Sequence, residues 1–240
     1  MNNINDYIDD RDELTKLADD FGTDKGSRKH NYTPAYHKHF KYIRCKVRKI
    51  LEIGVGKGSS VVMWMKYFNP DIVVGLDIAP QAIVRTKHQL YKFLGQEATN
   101  NFIGYVGNQT DYDMLKHIVD QHGKFDFIID DGSHRHTDEQ KTLIYLFPFL
   151  THGGTYIIED LHVTRDESAC PRFIRTDTWI NNIIRFNDYS NPTMIEKKYR
   201  VLENQIATYK EIRRKHKGRR RTKTCIIEKV SLKLLDQKNQ

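Results

Sequence analysis

Cysteine is scarce in this chain, and long apolar runs are missing. The 240 residues hold three cysteines, Cys45, Cys170 and Cys225, far apart and without a C-x-x-C pair. That argues against a zinc site or a disulfide frame and suits a reducing, cytoplasmic setting. No apolar stretch approaches the roughly 18 residues of a membrane helix, so no membrane partner is expected. Residues 1–11 are polar and acidic and do not read as a signal peptide. There is no internal repeat. Hydrophobic residues make up only 38%, yet they recur in short runs spaced like strands, enough to bury one core. The length suits one domain with an appendage: a helical and loop cap over 1–45 and a main domain over 46–240. The formal charge of +8 favours an anionic partner without specifying one.

Strands and helices alternate along the main domain. Strands are expected near 49–53, 72–77, 102–106, 125–130 and 154–159. Helices are expected near 59–68, 80–94, 111–121, 136–149 and 173–186. Runs such as Phe125-Asp126-Phe127-Ile128-Ile129 are near-continuously apolar, as in a parallel sheet covered on both faces. Upstream, residues 9–20 suggest a short helix and 21–32 a polar loop. Pro34 suits the first turn of a helix reaching about Ile43. Residues 205–212 fit either a helix continued from Glu196 or a strand, and 225–230 read as a strand.

The most informative stretch is Leu51-Glu52-Ile53-Gly54-Val55-Gly56-Lys57-Gly58-Ser59-Ser60. An apolar run leads into alternate glycines and then into a helix start, where free N–H groups are on offer. Asp77 follows about 20 residues later, at the end of the next apolar run, where a carboxylate can bind ribose hydroxyls. This reads as an adenosine-cofactor site. A dinucleotide turn would be G-x-G-x-x-G, which is absent here. The E-x-G-x-G-x-G pattern of Glu52, Gly54, Gly56 and Gly58 resembles motif I of class I S-adenosylmethionine (SAM) methyltransferases. The resemblance implies a Rossmann-like α/β fold, a mostly parallel twisted sheet with helices on both faces. It also implies a C-terminal antiparallel hairpin, which would fall at 205–212 and 223–230.

Two acidic clusters close later strands. The first is Asp130-Asp131-Gly132-Ser133-His134 and the second Glu159-Asp160-Leu161-His162. Ligands of open α/β sheets sit at the carboxyl ends of strands. Adjacent strands would bring Asp131, Glu159 and Asp160 together, and converging carboxylates repel unless a cation binds. A hard ion such as Mg²⁺ suits all-oxygen ligands and lowers the pKa of a coordinated hydroxyl. The plainer readings are a helix cap at Asp130 or Asp131, an exposed His134 and a solvated acidic edge.

A further resemblance comes from the N-terminal third. Phe21-Gly22-Thr23-Asp24-Lys25-Gly26-Ser27, then His30, Tyr32, Tyr36 and Phe40, are similar to an element that precedes motif I in macrolide-sugar O-methyltransferases of the mycinamicin type and in cephalosporin-hydroxylase-like proteins. With the D-D-G-S-H and I-E-D-L-H segments, the resemblance covers about residues 14–164. It implies that Asp131, Glu159 and Asp160 hold Mg²⁺ and that His134 is the general base. Glu52, Gly54, Gly56, Gly58, Asp77 and Asp130 fall to the cofactor. Asn108 and Gln109, after the third strand, are placed to meet the adenine ring or to form an ordinary turn, with Asp111 capping the next helix.

The run Arg213-Arg214-Lys215-His216-Lys217-Gly218-Arg219-Arg220-Arg221 reads as a basic loop at the substrate entrance, or as a solvated turn. The reading that joins these features is a SAM-dependent O-methyltransferase, assisted by Mg²⁺, acting on a hydroxyl of a sugar or glycosylated small molecule. An anionic or nucleotide-linked sugar would suit the basic run. Nucleic acid is the second choice, although the run lacks the aromatic residues of a stacking surface. A SAM-binding protein without this chemistry is the third. The oligomeric state is open, a homo-oligomer included.

Overall fold

A computed structural model describes residues 9–163, 174–186, 202, 205–216 and 219–231, without the side chains of 214–216 and 219–223. The chain opens with α1, Glu13–Phe21, and α2, Thr33–Phe40. Helix α1 starts later than expected because Asp12 caps it, accepting from the Thr15 N–H at 2.9 Å. Helix α2 ends short of Ile43, and Arg44–Lys46 form a 3-10 turn.

Five parallel strands follow: β1 Lys49–Ile53, β2 Ile72–Asp77, β3 Phe102–Val106, β4 Phe125–Asp130 and β5 Leu150–Ile158. Between them run α3 Ser59–Phe68, α4 Pro80–Leu94, α5 Gln96–Asn100, α6 Tyr112–His122 and α7 His136–Leu146. Helix α5 has no apolar periodicity and was not expected. Helix α7 stops before Pro148, which lies in a 3-10 turn at Phe147–Phe149. Strand β5 begins four residues early because Leu150 pairs with Phe125 across a register shift. Helix α8, Thr176–Phe186, precedes the hairpin of β6 Ile206–His216 and β7 Arg219–Lys229. The strand order is β3-β2-β1-β4-β5-β7-β6, with β7 antiparallel to both neighbours.

The basic run needs correction. It is not one loop: 213–216 end β6 and 219–221 begin β7, with Lys217 and Gly218 outside the described residues. No proline or glycine interrupts the pairing before Gly218, so the ladder continues past the register shift at Ile212. Residues 206–212 are thus strand rather than helix, with Gln205 in the preceding turn, and Glu196 lies outside the described residues.

Alternation along the strands divides the core between two faces. Ile50, Val73 and Phe127 pack with Tyr36, Phe40, Trp64 and Phe68. Leu51, Val74 and Ile128 pack with Leu115, Leu143 and Trp179 on the other side. A fully buried aromatic such as Trp64 is worth about 3–5 kcal/mol against alanine. The cap residues Leu14, Ala18, Tyr36 and Phe40 share the first cluster with β1 and β4. That packing fixes the 22–32 loop over the carboxyl ends of the strands. Among the described residues no helix is long and apolar enough to cross a membrane, and Cys45 and Cys225 are free thiols. Cys170 lies outside them.

Candidate active site

The strand order reverses direction between β1 and β4, and the crevice outside their carboxyl ends is the expected ligand position in an open α/β sheet. Two cavities meet there, of about 450 and 660 Å³. Both are walled by Gly54, Gly56 and Asp131.

The first cavity extends over β2 and β3, to Asp77, Asn108 and Gln109. The glycine turn keeps this wall thin. A Cβ on Gly54, whose φ is +81°, would lie 2.2 Å from the Asp131 carbonyl oxygen. One on Gly58 would lie 2.5 Å from the Thr86 Cα, so this glycine lets α3 pack on α4. Asp77 Oδ2 accepts from the Gly56 N–H and Oδ1 from the Ala79 N–H, both at 2.9 Å. The carboxylate therefore stands fixed beside the turn, with lone pairs to spare. Gln109 spans the floor. Its amide donates to Asp130 and Thr142 and accepts from the Ser133 N–H at 2.7 Å. The Asn108 carboxamide caps its own turn through Thr110, and Asp111 caps α6.

Glu52 and Asp130 stand behind the wall, both buried. Glu52 shares the face of Ile50 and accepts from the Ser60 hydroxyl at 2.6 Å, while its Oε2 accepts no hydrogen bond. Burial pushes its carboxyl up to about 7, against the attraction of Lys25. Burial, reinforced by Glu139, pushes Asp130 up to about 8.

The second cavity lies between the glycine turn and the 22–32 loop, and Lys25, Asp131, His134 and Asp160 reach it. The sheet ladder runs past the strand ends. Asp131 N–H donates to the Ile53 carbonyl and Glu159 N–H to the Asp130 carbonyl, each at 2.9 Å. That places the acidic residues of β4 and β5 side by side. Asp131, His134 and Asp160 can offer ligand atoms within 4.8 Å of one another. His134 and Asp160 both have left-handed backbones, φ +56° and +53°. Such conformations cost of order 1–3 kcal/mol in a residue with a Cβ and concentrate at functional positions.

Glu159 is held differently. Lys25 Nζ bridges Asp131 Oδ2 and Glu159 Oε2 at 2.6 Å each, and the Tyr36 hydroxyl donates to Glu159 Oε1 at 2.8 Å. The Tyr32 hydroxyl donates to Asp160 at 2.7 Å. Burial alone would lower the Lys25 pKa, but the facing carboxylates outweigh it and hold the ammonium well above the ordinary lysine value. Burial raises the Glu159 carboxyl well above the ordinary glutamate value, and Lys25 opposes that rise. Lys25, Tyr32 and Tyr36 make the contacts to the acidic edge that spacing alone missed. Their only signal was the F-G-T-D-K-G-S…H…Y…Y pattern, in which Tyr32 and Tyr36 lie one helical turn apart.

The seven-stranded, mostly parallel sheet with its C-terminal antiparallel pair has the Rossmann-like fold of solved methyltransferases. Residues 51–161 match the family model described as a methyltransferase domain. Among curated proteins, a tetracenomycin-C rhamnosyl 3'-O-methyltransferase of Streptomyces olivaceus is 34% identical over 156 residues, covering 62% of this chain and 37% of that one. The mycinamicin VI 2''-O-methyltransferase of Micromonospora griseorubida is 33% identical over 156 residues, covering 62% and 36%. The chain thus spans little more than a third of the curated relatives it matches. A solved structure of MycE, a methyltransferase of mycinamycin biosynthesis in complex with Mg, SAH and mycinamycin VI, superposes with a TM-score of 0.64 at 25% identity. It covers 92% of this chain and 56% of that one. The resemblance to the macrolide-sugar O-methyltransferases, drawn above from motifs, therefore holds.

Proposed function

We propose that this chain transfers a methyl group from SAM to a hydroxyl of a sugar or glycosylated small molecule, assisted by Mg²⁺. The observation that carries the reading is the convergence of Asp131, His134 and Asp160 beside the Gly54–Gly56 turn. Both groups suit the residues present. The fixed Asp77 carboxylate, which lines the first cavity beside the glycine turn, matches a ligand that carries a ribose. The Asp131 and Asp160 oxygens suit a hard divalent ion. When bound, SAM supplies an electrophilic methyl on sulfur and Mg²⁺ acidifies the acceptor hydroxyl.

The chain's own residues do the rest. Asp77 and the glycine turn orient the nucleoside, with Gln109 and Asn108 beneath it. His134 takes the acceptor proton. Its imidazole Nε2 lies 4.0 Å from Asp131 Oδ1, which can steady the imidazolium that forms. Residues 9–45 act as a cap that orders the acidic edge through Lys25, Tyr32 and Tyr36. The basic strand ends of the hairpin favour an anionic acceptor.

The test is a transfer assay with labelled SAM and a panel of rhamnosides, other glycosides and nucleotide sugars. Acceptor-dependent release of SAH should stop in EDTA and return with Mg²⁺ or Mn²⁺. Full turnover in EDTA would remove the metal. Failure to bind SAM in calorimetry would remove the methyltransferase reading.

A further inference from the structure

The charged groups that line the second cavity are unevenly matched. Asp19 accepts from the Arg11 guanidinium and the Ser27 hydroxyl. Asp24 pairs with Lys29 Nζ at 3.2 Å. Lys25 Nζ faces Asp131 and Glu159, and the Tyr32 hydroxyl donates to Asp160. Every carboxylate of this wall therefore has a donor. Arg28 and Lys57 line the same cavity, and among the described residues neither side chain makes an ion pair or a hydrogen bond. Both stand on fixed backbone. Around Arg28, the Ser27 N–H donates to Asp19 at 2.9 Å, and the His30 and Asn31 N–H groups close the loop onto the Asp24 and Gly26 carbonyls at 2.8 Å each. Lys57 lies in the glycine turn, which the Gly58 N–H closes on the Val55 carbonyl at 2.8 Å. One cation thus comes from the cap loop and one from the glycine turn, the two walls of the cavity.

We infer that Arg28 and Lys57 form an anion subsite, and that the acceptor is an acidic sugar, one that carries a phosphate or a carboxylate. The inference deepens the methyl-transfer reading proposed above and rests on it. A guanidinium presents a fork that matches either anion with two parallel hydrogen bonds, and an ammonium on the facing wall adds a point charge. The cofactor does not account for the pair. The amino-acid end of SAM is a zwitterion whose ammonium cancels its carboxylate, and its sulfonium adds a further positive charge. A divalent ion at the acidic edge adds more. The negative charge that two unpaired cations call for therefore has to arrive on the acceptor. The same charges draw an anion toward the crevice from solution, an effect that salt weakens.

The experiment is the binding of inorganic phosphate to the full chain loaded with SAH, without a divalent ion and at low salt, by calorimetry. Arg28→Ala and Lys57→Ala should each weaken phosphate about threefold or more, and the double variant about tenfold or more. SAH affinity should stay at the parent value. Because Lys57 lies in the glycine turn, Arg28→Ala decides the matter if Lys57→Ala does not fold. Unchanged phosphate binding in Arg28→Ala would overturn the inference. A fall in SAH affinity with phosphate binding kept would give these cations to the cofactor's carboxylate and overturn it equally. A loss seen only on replacing Arg219, Arg220 and Arg221 would move the anion to the hairpin. The transfer assay then separates the two acids, with glucosyl phosphate, methyl glucuronide and the neutral methyl glucoside as acceptors. Arg28→Ala should raise KM for the charged acceptor the enzyme uses and leave the neutral one unchanged, and an equal KM in variant and parent would overturn the subsite. The phosphate measurement decides even where none of the three turns over. A chain that does not bind SAH fails the methyltransferase reading itself, whereas one that binds SAH and shows no phosphate effect fails this inference alone.

Discussion

Along β1, β2 and β3 the crevice is built from neighbours in sequence. The glycine turn, Asp77 and the Asn108–Gln109 loop lie within some sixty residues, and their contacts are mainly to backbone groups. At the ends of β4 and β5 the contacts run side chain to side chain between distant segments. Lys25, Tyr32 and Tyr36 from the cap meet Asp131, Glu159 and Asp160 across separations of 106 to 134 residues. The first side is a cradle fixed by local geometry, and the second is an electrostatic assembly that exists only once the cap has docked. Mutations should therefore separate the two: changes in the cradle should act on cofactor affinity, and changes in the assembly on turnover.

The largest effect is expected at His134. His134→Ala should lower turnover about 10²–10⁴-fold. SAH affinity should stay at the parent value. His162, whose Nδ1 lies 4.0 Å from Asp160 Oδ1, is the informative control. His136 is not a neutral one, since it is buried against Glu139 and Thr176 in the core. A loss of turnover of that size in His162→Ala, with turnover kept in His134→Ala, would move the base.

Asp77→Ala probes the cradle. A charge-assisted hydrogen bond is worth roughly 1.5–3 kcal/mol, so SAH should bind about ten- to a hundredfold more weakly. Mn²⁺ affinity should not change. If both fall together, the two sides are one cooperative unit and the division between cradle and assembly fails.

How much of this was readable from the residues follows the same division. Strands β1 to β4 and the glycine turn matched their spacing because apolar runs and left-handed glycines are local signals. Asp131 and Asp160 could be paired in advance because parallel register carries each strand end to its neighbour. The ammonium on Glu159 could not, since nothing in a polar 21–32 loop says which strand end Lys25 will reach. The hairpin was misjudged in length, because a run of arginines and lysines looks like solvent-facing loop whether or not its backbone is paired.

Stability should respond to pH through the carboxyls behind the wall. Glu52 is raised from 4.5 to about 7 and Asp130 from 3.8 to about 8, so the folded state favours their neutral forms. Their contribution is complete below the unfolded values and is lost as pH rises through about 7 and about 8. Glu52→Gln keeps an acceptor for Ser60 and removes the titration. Relative to the parent it should gain stability between about pH 5 and pH 8. The gain is a few kcal/mol at most, since each tenfold change in a protonation equilibrium is worth about 1.4 kcal/mol. Denaturant titrations at both pH values check this, and a parallel loss in parent and variant would mean that Glu52 does not titrate there.

The smallest effect is expected at the far end of the hairpin. The ladder sets Arg221 opposite Arg214, Arg220 opposite Lys215 and Arg219 opposite His216. Like charges directly across a strand pair are unfavourable, so replacing Arg219, Arg220 and Arg221 by Ala should leave Tm unchanged or slightly raised. If these strand ends meet an anionic acceptor, its KM should rise a few-fold at low salt while SAH affinity holds. The difference should fade as the Debye length falls from about 10 Å at 0.1 M to about 3 Å at 1 M. A KM equal in variant and parent at every salt concentration would make the basic strand ends a matter of the sheet edge alone. It would also remove the main support for a nucleic-acid acceptor, which leans on the same arginines and would otherwise show a steep loss of affinity with salt.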